Sequence, residues 1–346
     1  MEEEFSSVCQ NCGSDLFFNP KTGCLTCKYC ESNFYLPTSR KDAVIVRQYN
    51  AGFHPSVFNK NLNSYKCVSC GRVYFMTTEG HSSRCPNCGN SEIELASEPG
   101  FCADGVIPFK ITKQQASEKM AGFLKKNNKI PRDLRKMAES QKLMALLIPV
   151  WNFSFNLYAQ YSAIESFAKK GYDGYYYTAS NPIFGEKEKR IKSLDECATE
   201  GEDEIFLELF DEDDYANIVP YYPEYSFGSR VDPITKDIHI FYDKIIEKAR
   251  SDYEKQLKKE LLSRKRDTHN IEISCTPGDV FFNFTYVPVY VNVFKYKKKI
   301  YKLFISGTTG KVKGKTPTST WYKIKKFLRV VGIGAILALV YKLFKK

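Results

Sequence analysis

Eight cysteines are the residues of this 346-residue chain best suited to chemistry. Cys9, Cys12, Cys27 and Cys30 follow the spacing C-x2-C-x14-C-x2-C, and Cys67, Cys70, Cys85 and Cys88 repeat it position for position. Four thiolates carried on two short knuckles can enclose one Zn²⁺ tetrahedrally. The pattern predicts two structural zinc ions, each closed by four sulfurs. Catalytic zinc usually keeps an open position and takes His or carboxylate ligands. In the first unit Cys24-x2-Cys27-x2-Cys30 leaves two ways to choose a pair: the repeat register favours Cys27 and Cys30, and Cys24 replacing one of them is the alternative.

The knuckles need particular backbone around them. Glycine follows three of the four pairs, at Gly13, Gly71 and Gly89, where positive φ lets N–H groups turn toward sulfur. Glu31 holds the fourth slot. Phe17, Phe18, Phe34 and Tyr35 flank the first set; Tyr65, Tyr74 and Phe75 flank the second. Units over residues 1–45 and 60–98 are too small to fold by apolar burial alone, so metal is expected to fold them. His81 reads as a loop residue, and Cys102, Cys197 and Cys275 as ordinary thiols.

Thiolate sites and single cysteines suit a reducing compartment. The start Met1-Glu2-Glu3-Glu4 lacks the apolar run of an ordinary signal peptide. The bulk of the chain is therefore expected in the cytoplasm.

The net charge of +11 invites a nucleic-acid reading, but its distribution opposes the simple form. Lys295–Lys346 holds fifteen Lys and Arg and no acid, so the remainder is net negative. Residues 1–100 carry nine Lys/Arg against ten Asp/Glu. Residues 195–214 hold eleven acids and no Lys or Arg, which reads as a solvated loop or a dock for a basic partner, the chain's own tail included. A nucleic-acid groove would place the basic residues with the knuckles.

Val330–Tyr341 is uncharged, with Arg329 before it and Lys342 after it. Extended from Phe327 to Phe344, a helix spans about 27 Å, close to the hydrocarbon thickness once Arg329 and Lys342 snorkel. Trp321 and Tyr322 stand where an interfacial belt would sit. Residues 320–346 are expected to form a single-pass tail anchor with the N-terminal bulk on the cytoplasmic face, where the flanking lysines attract anionic lipid. An in-plane helix and a soluble helix are the alternatives. Gly334 and Ala338 hint at self-association.

Residues 100–312 read as an α+β domain with antiparallel strands. Thr112 and Gln115 form a capping-box pattern opening a helix to about Asn127, and Pro131 opens another to about Ser140. Trp151–Tyr161 alternates apolar with polar residues, as a half-buried strand does. A Gly171/Gly174 turn leads to a strand at Tyr175–Tyr177. Residues 240–262 carry a helical stripe of Ile246, Ala249, Tyr253, Leu257 and Leu261. Val287, Val289, Val291 and Val293 share a strand face; Ile300–Ser306 returns after a basic turn, and Gly307–Gly310 turns into Lys311-Val312. Ile148-Pro-Val-Trp151 and Val287-Pro-Val-Tyr290 look like an internal echo, with Pro149 and Pro288 expected at strand starts or edges. No phosphate loop, Walker lysine or nucleophile elbow occurs, and His54, His81, His239 and His269 are isolated in sequence.

The Phe17-Phe18-Asn19-Pro20-Lys21-Thr22-Gly23 hairpin between the first Cys pairs resembles bacterial TFIIB-type zinc-ribbon proteins, many of them labelled after the primosomal replication helicase. Gly105–Lys113, Ile148–Trp151 and Thr309–Val312 look like later segments of that group. No ATPase motif supports the helicase label, and the second ribbon departs from the single-ribbon members. The resemblance implies zinc binding and, for some members, membrane attachment in phage-shock-type envelope-stress systems with SPFH-type scaffold proteins. The expectation is a non-enzymatic, tail-anchored adaptor that binds proteins and possesses homo-oligomer potential. The alternative is a zinc-ribbon nucleic-acid-binding protein of replication or transcription.

Overall fold

The alternation from Trp151 to Tyr161 belongs to a strand much longer than that window. A computed structural model of the chain describes residues 8–36, 43–53, 63–76, 85, 88, 90–97, 103–127, 129–140, 142–200, 204–263, 267–319 and 322. Apart from Tyr322, the expected tail helix over 320–346 lies outside the described residues, as do His54, His81, Gly89 and Cys102. Among the described residues no helix is long and apolar enough to cross a membrane.

The molecule is a mixed α+β protein with few helices and one large sheet. In chain order, β1 (Leu16–Asn19), β2 (Cys24–Cys27) and β3 (Asn33–Phe34) form a three-stranded antiparallel sheet. A connection carrying β4 (Arg47–Gln48) leads to β5 (Asn63–Cys67), β6 (Val73–Met76) and β7 (Ile93–Ala96). Then come β8 (Gly105–Val106), α1 (Lys113–Lys126), α2 (Arg132–Ser140), β9 (Met144–Lys170), β10 (Tyr176–Cys197), α3 (Glu212–Tyr215), β11 (Val219–Pro220) and β12 (Arg230–Val231). The chain continues through α4 (His239–Leu262), β13 (Asp267–Pro277), β14 (Phe281–Tyr296), β15 (Lys299–Ser306) and β16 (Val312–Gly314). Strands β4–β16 join in one sheet, so the second cysteine unit shares hydrogen bonding with the body: Val231 of β12 pairs with Phe75 of β6 and with Leu147 of β9.

Local signals place the helices. Thr112 caps α1 in a full capping box with Gln115, and Asn127 closes it. The stripe Ile246, Ala249, Tyr253, Leu257 and Leu261 is buried on α4, packed with Phe153, Phe155, Leu157 and Ala159 of β9. The other face of the sheet buries Leu146, Ile148 and Val150 against Val287, Val289, Val291 and Val293. The aromatic strand residues Trp151, Phe153, Phe282 and Phe284 are core.

The echo segments lie side by side, antiparallel, with Ile148 opposite Val287. Their symmetry extends to hydrogen bonding: Trp151 Nε1 donates to the Lys236 carbonyl before α4, and the Tyr290 hydroxyl donates to the Ile111 carbonyl before α1. Pro149 and Pro288 are therefore not at strand starts or sheet edges; both lie within central strands. Each carbonyl accepts from the residue just beyond the neighbouring strand, Ala198 after β10 and Gly307 after β15. In an antiparallel strand a residue's N–H and C=O point the same way, so each missing N–H faces the end of a ladder and little hydrogen bonding is lost.

The described parts of the acidic run, 195–200 and 204–214, are not a solvated loop. Phe206, Leu209, Phe210 and Tyr215 turn inward and cover the valine face of the sheet. Outward, Glu208 pairs with Lys313 at 2.6 Å and Asp211 with Lys311 at 2.8 Å, so the chain's own basic segment Lys311–Lys313 docks on it. Asp195 sits beside Asn152 and Ser193, at 2.5 and 2.9 Å. Burial pushes its carboxyl up to about 6, against hydrogen bonds from Asn152 and Ser193 that pull it down. The folded state thus holds this proton more tightly than the unfolded chain does. Stability from this group is greatest near pH 4 and falls as pH rises toward 6. We expect Asp195→Asn to stabilise the protein by about 2 kcal/mol at pH 7.5, a shift of this size discounted because the residue as a whole is only half-buried. The gain over the native chain should shrink at pH 5, as read by urea unfolding at both pH values.

Candidate metal centres

Each cysteine unit is built from two knuckles with one hydrogen-bond pattern. The N–H groups of Cys9, Cys27, Cys67 and Cys85 donate to the carbonyls of Ser14, Ser32, Arg72 and Asn90, each five residues on. Gly13 and Gly71 return bonds to the carbonyls of Cys9 and Cys67. The residue after three of the second cysteines adopts positive φ: 73° at Gly13, 70° at Gly71 and 58° at Glu31. Glu31 is thus a side chain forced into glycine's conformation. Glu31→Gly is expected to raise the stability of the first unit by roughly 1 kcal/mol, seen as slower metal release to a chromogenic chelator; an unchanged or faster release would contradict it.

The turns bring the sulfurs together across the knuckles. Cys9 Sγ lies 3.6 Å from Cys30 Sγ, and Cys12 Sγ 3.4 Å from Cys27 Sγ. In the second unit Cys67–Cys88 is 3.7 Å and Cys70–Cys85 is 3.6 Å. Within each four, all sulfurs lie inside 4.8 Å of one another, and none is in a disulfide. A tetrahedron of sulfurs around an ion at 2.3 Å has edges of about 3.8 Å. The donor sets fit such an ion, and each cluster could hold one. Cys24 is outside both groups: it is buried in β2, and its Sγ donates to Thr22 Oγ1 at 2.9 Å. Cys197 and Cys275 are buried away from the clusters, Cys197 donating to the Thr199 carbonyl.

Amides and a hydroxyl favour thiolate at Cys27 and Cys30. Tyr29 and Cys30 N–H groups donate to Cys27 Sγ at 3.4 and 3.5 Å. Hydrogen bonds from the Ser32 hydroxyl and backbone bring Cys30 down to about 6.

One segment, residues 221–232, carries both units. Phe227 inserts among Cys9, Leu16, Leu25 and Cys27, and its carbonyl accepts from Phe18 N–H at 3.0 Å. Tyr225 lies 5.2 Å from the Phe18 ring. Gly228 has φ 78°, and a Cβ there would fall 2.6 Å from Phe17 Cβ, so only glycine fits. A few residues on, Arg230 stacks over the buried Tyr74 ring at 5.3 Å. Asp232, fully buried, binds Arg72 of the knuckle at 2.6 Å, and Arg72 also donates to the Glu200 carbonyl. Burial pushes Arg230 below its usual range, opposed by Tyr74, Cys85 and Asp232. A four-thiolate site with a divalent ion would carry −2, which the two guanidinium groups, less the charge of Asp232, offset in part.

Sequence reasoning grouped the eight thiols correctly in space but missed Phe227, Arg230 and Asp232, which bear no motif. Arg72 had one weak signal, its place next to a knuckle. His239 spans Tyr49 and the Phe53 carbonyl, and His269 contacts the Ile164 carbonyl; neither lies in a metal group among the described residues.

No family model matches the chain, and no curated protein or solved structure matches it.

Proposed function

We propose that the protein is a zinc-ribbon adaptor without catalytic activity of its own, whose two ribbons present protein-binding surfaces at the cytoplasmic face of a membrane. The observation that carries this reading is the gathering of four sulfurs in each thiol group: an ion held there would be enclosed by sulfur alone and would have nothing to offer a substrate. Zn²⁺ is the ion proposed, because four thiolates in tetrahedral array suit it best. Support for a binding role comes from segment 221–232, which fixes both ribbons on a rigid sheet and leaves Tyr29, Tyr35, Val68 and Leu95 exposed on them. The membrane element rests on the tail sequence from Phe327 to Phe344, and the envelope-stress setting on the TFIIB-type resemblance.

The test is affinity purification of the full chain from detergent-solubilised membranes, with and without nuclease. It compares the native chain with a Tyr29→Ser/Tyr35→Ser/Leu95→Ser variant that retains the cysteines. Protein partners that survive nuclease and are lost from the variant are expected. Recovery of nuclease-sensitive nucleic acid instead would replace the adaptor reading with a replication or transcription role.

A further inference from the structure

The ribbons do not account for the tip of the β9–β10 hairpin. The described part of β13 pairs with β9 as far as Ser166, and beyond it, among the described residues, Ala168–Lys170 pair with Tyr176–Thr178 in a two-stranded tip. The turn is well built: Gly171 N–H donates to the Tyr175 carbonyl, and the Asp173 carboxylate accepts from Tyr175 N–H at 3.1 Å. Four tyrosines crown it, with fractional exposures of 114% at Tyr172, 77% at Tyr175, 72% at Tyr176 and 51% at Tyr177. Two lysines stand with them, and Asp173, held in the turn, is the one acid from Ser166 to Gly185.

The register decides what such a tip can meet. Tyr176 is opposite Lys170, and Tyr177 is opposite Lys169. Cross-strand partners share a face and neighbouring pairs alternate, so each face of the ribbon carries one tyrosine beside one lysine. Tyr172 and Tyr175 lie further out. A protein surface would bury one face of the ribbon and leave the other tyrosine in water. A bilayer interface surrounds a tip that enters it: tyrosine rings favour the headgroup level, and lysines at the same depth meet lipid phosphates.

We propose that the β9–β10 tip is a lipid-binding element that enters the headgroup layer of an anionic membrane through Tyr172, Tyr175, Tyr176 and Tyr177, with Lys169 and Lys170 on lipid phosphate. This contact stands independently of the tail. The last described residues lie near α2, where Ser319 N–H donates to the Lys129 carbonyl. α2 in turn contacts β14, the Ala138 carbonyl accepting from Asn292, close to the Met144 end of β9. The tip is at the far end of that 27-residue strand, about 85 Å away if the strand were straight. Contacts at both ends would lay the sheet along the surface.

The test uses the full chain carrying Tyr172→Trp, with the native chain as the fluorescence blank. It is mixed with vesicles of phosphatidylcholine and phosphatidylglycerol containing brominated lipid, and flotation reports vesicle association. The expected result is blue-shifted emission quenched by bromine. Quenching should fall by about threefold or more when Lys169 and Lys170 are changed to Gln, or when phosphatidylglycerol is omitted. Unchanged metal content in the variants shows that they remain folded. Three results would overturn the proposal: a chain that floats with an unquenched tip, a chain that does not associate with vesicles, or a blue shift that grows with protein density and ignores bromine. The last would identify a protein surface as the occupant.

Discussion

A chelator strong enough to strip both ions is expected to unfold the two cysteine units and leave the β8–β16 part of the large sheet standing. Apparent metal-linked folding energies of about 10–16 kcal/mol per site equal or exceed the whole stability of an ordinary domain, about 5–15 kcal/mol. Without metal, the first unit retains, among the described residues, a small cluster around Leu16, Leu25 and Phe227. The β9–β14 core has its own burial, with Trp151 and Phe282 enclosed, and does not depend on sulfur. Limited proteolysis after chelation should therefore cut within the two cysteine units and spare a fragment that keeps its near-ultraviolet aromatic signal. Resistance of the N-terminal region to protease after verified metal loss would show that the units fold without metal.

The second large effect is at Asp232. Asp232→Ala removes a carboxylate from beside a buried guanidinium and breaks the Arg72–Asp232 pair in the attachment of the second unit. Breaking a buried pair from one side costs about 3–5 kcal/mol, whereas replacing both members by apolar residues is often near neutral. Urea unfolding should show Asp232→Ala destabilised by that amount and Arg72→Met/Asp232→Leu much less affected. Equal losses in the two variants would mean that the pair itself holds the unit in place. A loss below about 1 kcal/mol in the single variant would place the attachment elsewhere, in the β6–β12 pairing or the Arg230–Tyr74 stack.

The parts legible in sequence were those governed by local rules. Cysteine spacing defined both thiol groups, the Thr112–Gln115 box set the start of α1, and apolar periodicity located α4 and the valine face of β14. The missed parts depend on contacts distant in sequence. β9 runs to 27 residues because β10, β13 and β14 all pair with it, an extension that its own alternation does not encode. The prolines read as edge residues because a proline lacks a donor; in the fold they stand where neighbouring strands end, which only the partner's length reveals. The acids of 195–214 concealed Phe206, Leu209, Phe210 and Tyr215, and charge density outweighed that apolar face. Segment 221–232 carries no motif because its work is done by one ring, one glycine and one buried carboxylate, each meaningful only against a partner about 150 or more residues away.

The most direct test of the central claim, two closed structural sites, is X-ray absorption at the zinc edge on native protein with the metal-to-chain ratio measured on the same sample. The account predicts two zinc ions per chain and a single shell of four sulfurs at about 2.3 Å. A shell containing oxygen or nitrogen, or only one ion per chain, would contradict it: the first would reopen chemistry at the metal, and the second would leave one ribbon to fold by other means.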